Sequence, residues 1–310
     1  MRRFHPVIAG CVAAFAALLA EPGRVRAVTI ASDTFETSDH PTGDRTAISG
    51  GLSGMKFYTH NATSGSYTAT IVDDSAAGGL GSKALNQTDT TGGAASNALI
   101  GLLPAPITLA TQGDFITLSF RFRYVSIGTS NNAGFRFGIE GSNGTAVTAD
   151  GQGSTSDDDR GYYIVTGVGA ATPPAPPANN VFFRENGGTS PVLGGTDRTA
   201  ATSAAGSAFN DNLAHTATFT ITRGSGTNIS LAASYDGGTA ITGTLTTTPY
   251  YTFDEILFGD GFVASPVQFN LDDVVVTSSV PEPGTLACLF GGVGILFVRQ
   301  RRRQRTETWQ

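Results

Sequence analysis

The amino-acid sequence predicts an all-β protein, a two-sheet antiparallel β-sandwich of the jelly-roll type. Glycine accounts for 40 of the 310 residues, and only 14 % of the residues are charged. Typical soluble domains have about 7 % glycine and about 25 % charged residues. Runs of alternating apolar and polar residues recur along the chain, and turn-forming residues fill the gaps between them. No segment has the apolar spacing of an amphipathic helix.

The clearest strand is predicted at 115–125. Its apolar residues stand at every second position from Ile116 to Tyr124, which is typical of a strand with one buried face. Asp236-Gly237 lies between two further runs and predicts a hairpin turn. The other predicted strands are 66–72, 134–140, 162–166, 181–185, 215–223, 229–235, 239–246, 255–259 and 267–277. This spacing of short strands favours a sandwich over a barrel.

Residues 1–27 are predicted to form a secretory signal peptide. Arg2 and Arg3 precede an apolar run of 14 residues at 7–20, and small residues follow at the expected cleavage point. An uncleaved anchor is one alternative, although the run is short for a bilayer core about 30 Å thick. A lipid attached to Cys11 is a second alternative.

The C-terminal segment, 279–305, has three features in order. Pro281, Glu282 and Pro283 come first, and an apolar segment at 285–298 follows. A cluster of arginines closes the segment: Arg299, Arg301, Arg302, Arg303 and Arg305. Because positive charge stays on the cytoplasmic side of a membrane, the rest of the chain is expected to face outward.

This C-terminal order resembles the PEP-CTERM sorting signal of exported bacterial proteins. The resemblance implies a short transmembrane helix at 285–298 and an exosortase-type membrane peptidase that acts at or near Pro281-Glu282-Pro283. Export through a translocon is implied as well. An ordinary C-terminal membrane anchor is the alternative.

The segment between the two ends is acidic and contains no cysteine. Residues 28–280 carry 22 acidic and 10 basic side chains, a net charge of −12. Such a balance argues against nucleic-acid binding, which needs a basic face. Cys11 and Cys288 both lie in the targeting segments, so the predicted ectodomain, 28–278, must be stabilised by its hydrophobic core.

The order of segments resembles a concanavalin A-like lectin/glucanase sandwich, a group that includes laminin G-like domains. The resemblance rests on the strand at 115–124, on 215–221 followed by 229–237, and on the closing segment 269–276. It implies that an opening segment around Asp33 pairs near the last strand. Folds of this kind host enzymes, lectins and structural modules, so the resemblance does not select a function.

The chain is expected not to be an enzyme. Glycoside hydrolysis needs two carboxyl groups about 5 to 10 Å apart. Four glutamates stand apart in the ectodomain, without the Glu-x-Asp-x-Glu pattern that the resemblance would imply for a glucanase: Glu36, Glu140, Glu185 and Glu255. His215 begins a predicted strand and is expected to pack rather than to act as a base. A glycoside hydrolase remains the less favoured alternative.

Calcium is the one cofactor for which the acidic loops offer candidate ligands. Calcium prefers carboxylate and carbonyl oxygens. The candidates are Asp157, Asp158, Asp159, Asp272 and Asp273. The chain has no Asp-x-Asp-x-Asp-Gly loop, and the alternatives are a solvated acidic turn and a cap that accepts backbone N–H groups.

Two pairs of tyrosines are the candidates for carbohydrate binding. Sugar sites use flat aromatic surfaces, and one member of each adjacent pair is expected to face outward: Tyr162 and Tyr163, Tyr250 and Tyr251. The alternative is one core residue and one incidental surface residue in each pair. The single tryptophan, Trp309, lies in the C-terminal tail.

These features predict an exported bacterial protein of the cell surface or extracellular matrix, with a structural or adhesive role. It would be anchored briefly in the inner membrane with a cytoplasmic C-terminus. A calcium-assisted carbohydrate-binding module is the alternative function. The expected partners are the peptidase, the translocon and an extracellular polysaccharide, and no nucleic acid.

Overall fold

The computed structural model of the chain shows two antiparallel β-sheets packed as a sandwich, with no helix among the residues that it describes. The described residues are 27–48, 54–61, 67–90, 97–126, 134–151, 158–167, 181–187, 198–199, 209, 211–245, 249–260 and 267–279. Within these ranges, nothing forms a helix long and apolar enough to cross a membrane. Except for residues 27 and 279, the predicted signal peptide and the predicted sorting segment lie outside them.

Fifteen strands occur in the described residues. They are β1 Val28–Asp33, β2 Lys56–Asn61, β3 Tyr67–Asp73, β4 Lys83–Asp89, β5 Asn97–Thr108, β6 Phe115–Ser126, β7 Gly134–Gly141, β8 Arg160–Gly167, β9 Val181–Gly187, β10 Arg198–Thr199, β11 His215–Arg223, β12 Ile229–Tyr235, β13 Ile241–Leu245, β14 Thr252–Asp260 and β15 Val267–Ser278.

The strands form an eight-stranded sheet A and a seven-stranded sheet B. Sheet A has the order β13-β12-β11-β6-β15-β4-β3, and β1 also pairs with β15. The first half of β15 pairs with β4 and its second half with β1. Sheet B has the order β10-β9-β8-β7-β14-β5-β2. The predicted two-sheet antiparallel architecture is therefore confirmed for the described residues.

The main hydrophobic core lies between the two sheets, because alternate residues of each strand point inward. In β6 every second residue from Ile116 to Tyr124 is buried, which confirms the predicted alternation. Phe122 of sheet A stacks on Phe135 of sheet B with 4.8 Å between ring centroids. Such aromatic contacts join the sheets.

The β1–β15 pairing brings the two ends of the described chain together. Val28 lies opposite Ser278, and Asp33 lies opposite Val274. Asp33 ends its strand by accepting hydrogen bonds from the Phe35 amide (2.8 Å) and the ring of His40 (2.7 Å). The segment around Asp33 therefore lies beside the last strand, as the resemblance implied.

The sequence pattern missed β5, which lies between β14 and the edge strand β2 in sheet B. The strand contains Pro104 and Pro106, which cannot donate to a sheet hydrogen bond. Its pairing with β14 stops at Leu102 and resumes at Ile107, so both prolines lie in the irregular stretch between. The unbroken apolar run also hides the period of two, because residues 97–101 are buried throughout.

Sheet B is covered on its outer face as well. The segment 142–151, here the covering segment, follows β7 and places Val147 in a second apolar cluster with Ile100 and Leu257. Its far end is anchored on β2, because the Thr59 amide donates to Asp150 (2.8 Å) and the Gly151 amide donates to the Thr59 carbonyl (2.7 Å). Residues on both faces of sheet B are therefore buried here.

Candidate functional site

Three carboxyl groups are buried together on the outer side of sheet B. Glu140 of β7 and Glu255 of β14 lie directly opposite each other in the strand register. Asp159 lies one residue before β8, the other neighbour of β7. All three residues are 0 % exposed. Because Ile139 and Ile256 point into the core between the sheets, the glutamates next to them point the other way, towards the covering segment.

Two members of this acid cluster (Glu140, Asp159 and Glu255) are short of hydrogen-bond donors. No oxygen of Asp159 or Glu255 has a protein donor in hydrogen-bond geometry. The group in contact with Glu255 is the carboxyl of Asp159, an acceptor itself unless it carries a proton. A buried carboxylate without a donor or counter-charge is costly. The contact therefore favours a proton shared between Asp159 and Glu255.

The pKa shifts in the cluster also indicate that it retains a proton. Burial raises the pKa of Asp159 far above its ordinary value, and the charges of Glu255 and Glu140 raise it further. Burial and the charge of Asp254 raise the pKa of Glu255. The Val147 amide lowers the pKa of Glu255, but the effect of burial is larger and the pKa is raised overall. At neutral pH the pair therefore keeps a proton.

The cluster does not form a calcium site among the described residues. The buried oxygens of Asp159 and Glu255 are of the type that calcium prefers, but calcium takes six to eight oxygen ligands. No group of three or more His, Cys, Asp or Glu side chains in the described ranges has an arrangement that could hold a metal ion. Asp157 lies outside those ranges. Calcium binding stays a prediction.

A groove of about 650 Å³ opens beside the acid cluster, at the end of the sandwich where β11 of sheet A meets β5, β8 and β14 of sheet B. Such a volume suits a small ligand or a few sugar units. We call it the Tyr250–Tyr251 groove, because these two half-buried residues lie along its wall. Arg160, Arg223 and Asp254 also line it.

The two tyrosines are held in place through their backbone. The Tyr250 amide donates to the hydroxyl of the buried Tyr162 (2.9 Å), and the Tyr251 carbonyl accepts from the Leu109 amide (2.8 Å). Arginines pack against both rings. The guanidinium carbon of Arg223 lies 4.1 Å from the Tyr251 ring centroid, and that of Arg160 lies 5.8 Å from the Tyr250 ring centroid. The wall is therefore pre-ordered.

The floor of the groove connects it to the acid cluster. Asp254 accepts hydrogen bonds from the Ser142 amide (2.7 Å) and the Ser142 hydroxyl (2.8 Å), which fixes the start of the covering segment. Asn143 and Gly144 then form a turn with positive φ of 48° and 94°. Gly141, Arg160 and Asp254 line the groove, and their chain neighbours are the three buried acids.

The prediction that one residue of each tyrosine pair faces outward is wrong for Tyr162 and Tyr163. Both are 0 % exposed. Tyr162 points into the core between the sheets, and Tyr163 lies under the covering segment. Alternation does place them on opposite faces of β8, but both faces are covered, so neither can stack on a sugar. Tyr250 and Tyr251 precede β14 and both reach the groove.

The two predicted acidic groups lie in different sheets and do not meet. Asp158 and Asp159 precede β8 of sheet B, whereas Asp272 and Asp273 lie in β15 of sheet A. Asp272 accepts from the Ser82 hydroxyl (2.9 Å) and the Asp273 amide (2.8 Å). Burial raises the pKa of Asp272 to about 6, although these donors lower it. The pair thus stabilises an irregular stretch of β15, since the register shifts just after Asp272.

His215 packs as the sequence predicts. It begins β11, and its ring hydrogen-bonds Asp236 (2.8 Å) and Asp211 (3.0 Å). Burial lowers the pKa of His215, but the hydrogen bonds to the two carboxylates outweigh that effect and raise it overall. The residue therefore ties the start of β11 to the turn after β12.

Sequence reasoning did not identify Arg160 or Arg223 as site residues, nor Glu140 or Glu255 as neighbours. A pattern of period two shows which side of a strand a residue is on, but not which strands lie side by side. The only hint was that Asp159-Arg160 lies just before a predicted strand and Arg223 ends one. Strand ends are where side chains from separate strands converge.

No known protein family and no curated protein matches the sequence. Solved structures with a similar fold include the carbohydrate esterase vb_24B_21 of the Shiga toxin-encoding bacteriophage phi24B, at 17 % identity and a TM-score of 0.43 over 82 % of this chain and 99 % of that chain. The potassium-bound carbohydrate recognition domain of Emp46p has 13 % identity and a TM-score of 0.42, with 71 % and 87 % covered. Peanut lectin has 12 % identity and a TM-score of 0.39, with 73 % and 98 % covered. Likeness this distant carries no information about ligand or activity.

Proposed function

We propose that this chain is an exported β-sandwich that binds an extracellular polysaccharide in the Tyr250–Tyr251 groove and so has an adhesive role at the cell surface or in the matrix. The observation that supports the proposal is the pre-ordered groove itself. It combines two aromatic rings with hydroxyl, amide and guanidinium groups of Ser142, Asn143 and Arg160. Sugars present apolar ring faces and polar edges, which match such a wall.

The arrangement of carboxyl groups supports binding rather than hydrolysis. A glycoside hydrolase needs two carboxyl groups that face the scissile bond. Here the carboxyls in contact, Asp159 and Glu255, are fully buried and do not line the groove. The carboxylate that does line it, Asp254, accepts two hydrogen bonds from Ser142. A non-enzymatic role is therefore part of the proposal.

Replacing Tyr251 by alanine should weaken glycan binding about tenfold. The change removes a ring from the groove wall together with the platform on which Arg223 rests, and such contacts contribute on the order of 1 kcal/mol each. Affinity electrophoresis of the purified protein in gels that contain the host's extracellular polysaccharide would measure the loss. Tyr251→Phe keeps the ring and should bind nearly as the unchanged protein does.

A second readout uses the thermal midpoint of unfolding, because a ligand that binds only the folded state must raise it. Scans with EDTA, with Ca²⁺, and with Ca²⁺ plus polysaccharide would separate the two ligands. A rise with polysaccharide that Tyr251→Ala abolishes supports the groove. If polysaccharide gels retained the unchanged protein and Tyr251→Ala equally, the groove would not be the binding site.

Delivery to the outside is the second half of the proposal, and it depends on the C-terminal segment. Replacing Glu282 by alanine should leave the full-length protein in the membrane fraction, because the peptidase would no longer read Pro281-Glu282-Pro283. Immunoblots of membrane and culture fractions would show this. Glu307→Ala, beyond the arginine cluster, is the matched control and should be released normally. Release of Glu282→Ala at the normal rate would reject the sorting role.

A further inference from the structure

Two arginines of the Tyr250–Tyr251 groove have no carboxylate partner in the part of the chain that the structure describes. Arg160 is exposed and Arg223 is half-buried, and both line the groove. Among the described residues, neither has a carboxylate within salt-bridge distance. Three other arginines in the described ranges each form an ion pair: Arg45 with Asp150, Arg121 with Asp273 and Arg123 with Asp74.

This pairing pattern is unexpected for so acidic a protein. Residues 28–280 have 22 acidic side chains for 10 basic ones, so a carboxylate partner is available for nearly any arginine. The acidic group that lines the groove, Asp254, faces Ser142, which donates to both of its oxygens. Two guanidinium groups and one carboxylate therefore line one small concave surface, and positive charge exceeds negative charge among its lining side chains.

The guanidinium of Arg223 is also oriented in advance. One of its terminal nitrogens donates to the Leu109 carbonyl (2.7 Å), and its plane packs on Tyr251. A guanidinium has five N–H donors, so most of them remain for a ligand. Planar guanidinium groups bind carboxylates and sulfates through two parallel hydrogen bonds, and an immobilised one loses little entropy on doing so.

We propose that the groove selects acidic glycans, whose sugars carry carboxylate or sulfate groups, and that Arg160 and Arg223 bind these anions. The proposal rests on the proposed function of the same groove and adds the chemical class of its ligand. The proton shared by Asp159 and Glu255 helps, because it limits the negative charge beneath the floor of the groove. Elsewhere the acidic surface repels such a polymer, so binding is confined to the groove.

The test compares three oligosaccharide ligands by isothermal titration of the full purified chain in detergent. Oligogalacturonides carry carboxylates, dextran sulfate fragments carry sulfates, and xylo-oligosaccharides are neutral. We expect an acidic ligand to bind at least about tenfold more tightly than the neutral one. Raising the salt from about 0.05 M to about 0.5 M should remove most of that preference. The acidic ligand that binds more tightly shows whether the groove prefers carboxylate or sulfate groups.

Two variants connect the preference to the groove. Arg160→Gln removes one exposed cation and should weaken binding of the acidic ligand about tenfold, a larger loss than the one it causes for the neutral ligand. Arg160→Lys keeps the charge but loses the paired donors, and should bind with intermediate affinity. Arg121→Gln, a control that changes an arginine paired with Asp273 on sheet A, should bind as the unchanged protein does.

The outcomes separate this inference from the proposed function. Equal or tighter binding of the neutral ligand would overturn the acidic selectivity and leave glycan binding in place. An acidic preference that persists in Arg160→Gln and in Arg223→Gln would overturn the role of the arginines. Absence of binding to all three ligands and to the host polysaccharide would overturn both proposals.

Discussion

Replacing Phe122 by alanine is expected to lower the free energy of unfolding by about 3–5 kcal/mol. The side chain is fully buried in β6 at the centre of the interface between the sheets. It stacks on Phe135 of sheet B at 4.8 Å and meets the ring of Phe209 edge-on at 5.0 Å. Its removal would leave a cavity between two sheets that no disulfide holds together, because residues 28–278 contain no cysteine.

Urea unfolding followed by tyrosine fluorescence and circular dichroism would measure the loss. Val125→Ala is the matched control, because Val125 lies on the same strand with 39 % of its surface exposed. It should change stability by no more than about 0.5 kcal/mol. If Phe122→Ala cost less than about 1 kcal/mol, the described packing between β6 and β7 would be wrong.

Replacing Asp159 by asparagine is expected to raise the stability of the protein above neutral pH. Asparagine has nearly the same shape and supplies the donor that Glu255 lacks, without a second negative charge. The gain at about pH 9 should exceed about 1.4 kcal/mol, the free energy of a single unit of pKa shift. Near pH 4 the two proteins should differ much less.

The sign follows from the raised pKa of both carboxyls. Unfolded Asp and Glu release their protons near pH 4. Folded Asp159 and Glu255 retain a proton to higher pH, because burial disfavours their charged forms. Between those pH values the folded state binds more protons than the unfolded state, so the free energy of unfolding falls as the pH rises. Asp159→Asn removes part of this difference and should flatten the slope.

Thermal unfolding from about pH 4 to about pH 9 would measure both slopes. Asp273→Asn is the control, because it removes a carboxylate of a surface ion pair and asparagine tolerates its φ of 48°. Its effect should stay below about 1 kcal/mol at every pH. If Asp159→Asn destabilised the protein equally across the range, Asp159 would be ionised when folded, and a bound cation would have to balance it.

The positions of the strands with one buried face could be predicted from the sequence. The run at 115–125 became β6 (Phe115–Ser126), and 215–223 became β11 with the same bounds. Asp236-Gly237 forms the predicted turn, with positive φ at both residues. Alternation is a local property, because successive side chains of any strand point to opposite faces.

The same reasoning failed where a strand is buried on both faces or is irregular. β8 reads as an alternating strand, yet Tyr162 and Tyr163 are both buried, because the covering segment lies over the second face. β5 has no period of two at its start and contains two prolines. Burial of the second face depends on a segment outside the strand itself, so the strand's own pattern does not show it.

In the candidate site, too, the sequence predicted some residues and missed their partners. Tyr250 and Tyr251 could be selected from residue type alone, but their partners Arg160 and Arg223 come from β8 and β11. Glu140 and Glu255 stand apart in the sequence, and no local pattern indicated that they would be neighbours. They are more than a hundred residues apart in the chain, and the antiparallel register of β7 and β14 sets them opposite each other.

The sequence by itself determined the all-β class, most strand positions and the inward face of each amphipathic strand, since these follow from the period of the side chains. Only the tertiary structure decided that β7 lies between β8 and β14, that sheet B is covered on both faces around β5, β8 and β14, and that two arginines share a groove with two tyrosines. The physical reason is that sheet order and register depend on contacts between segments that are far apart in the sequence. Those contacts form only when the whole chain is packed, so a local pattern cannot show them.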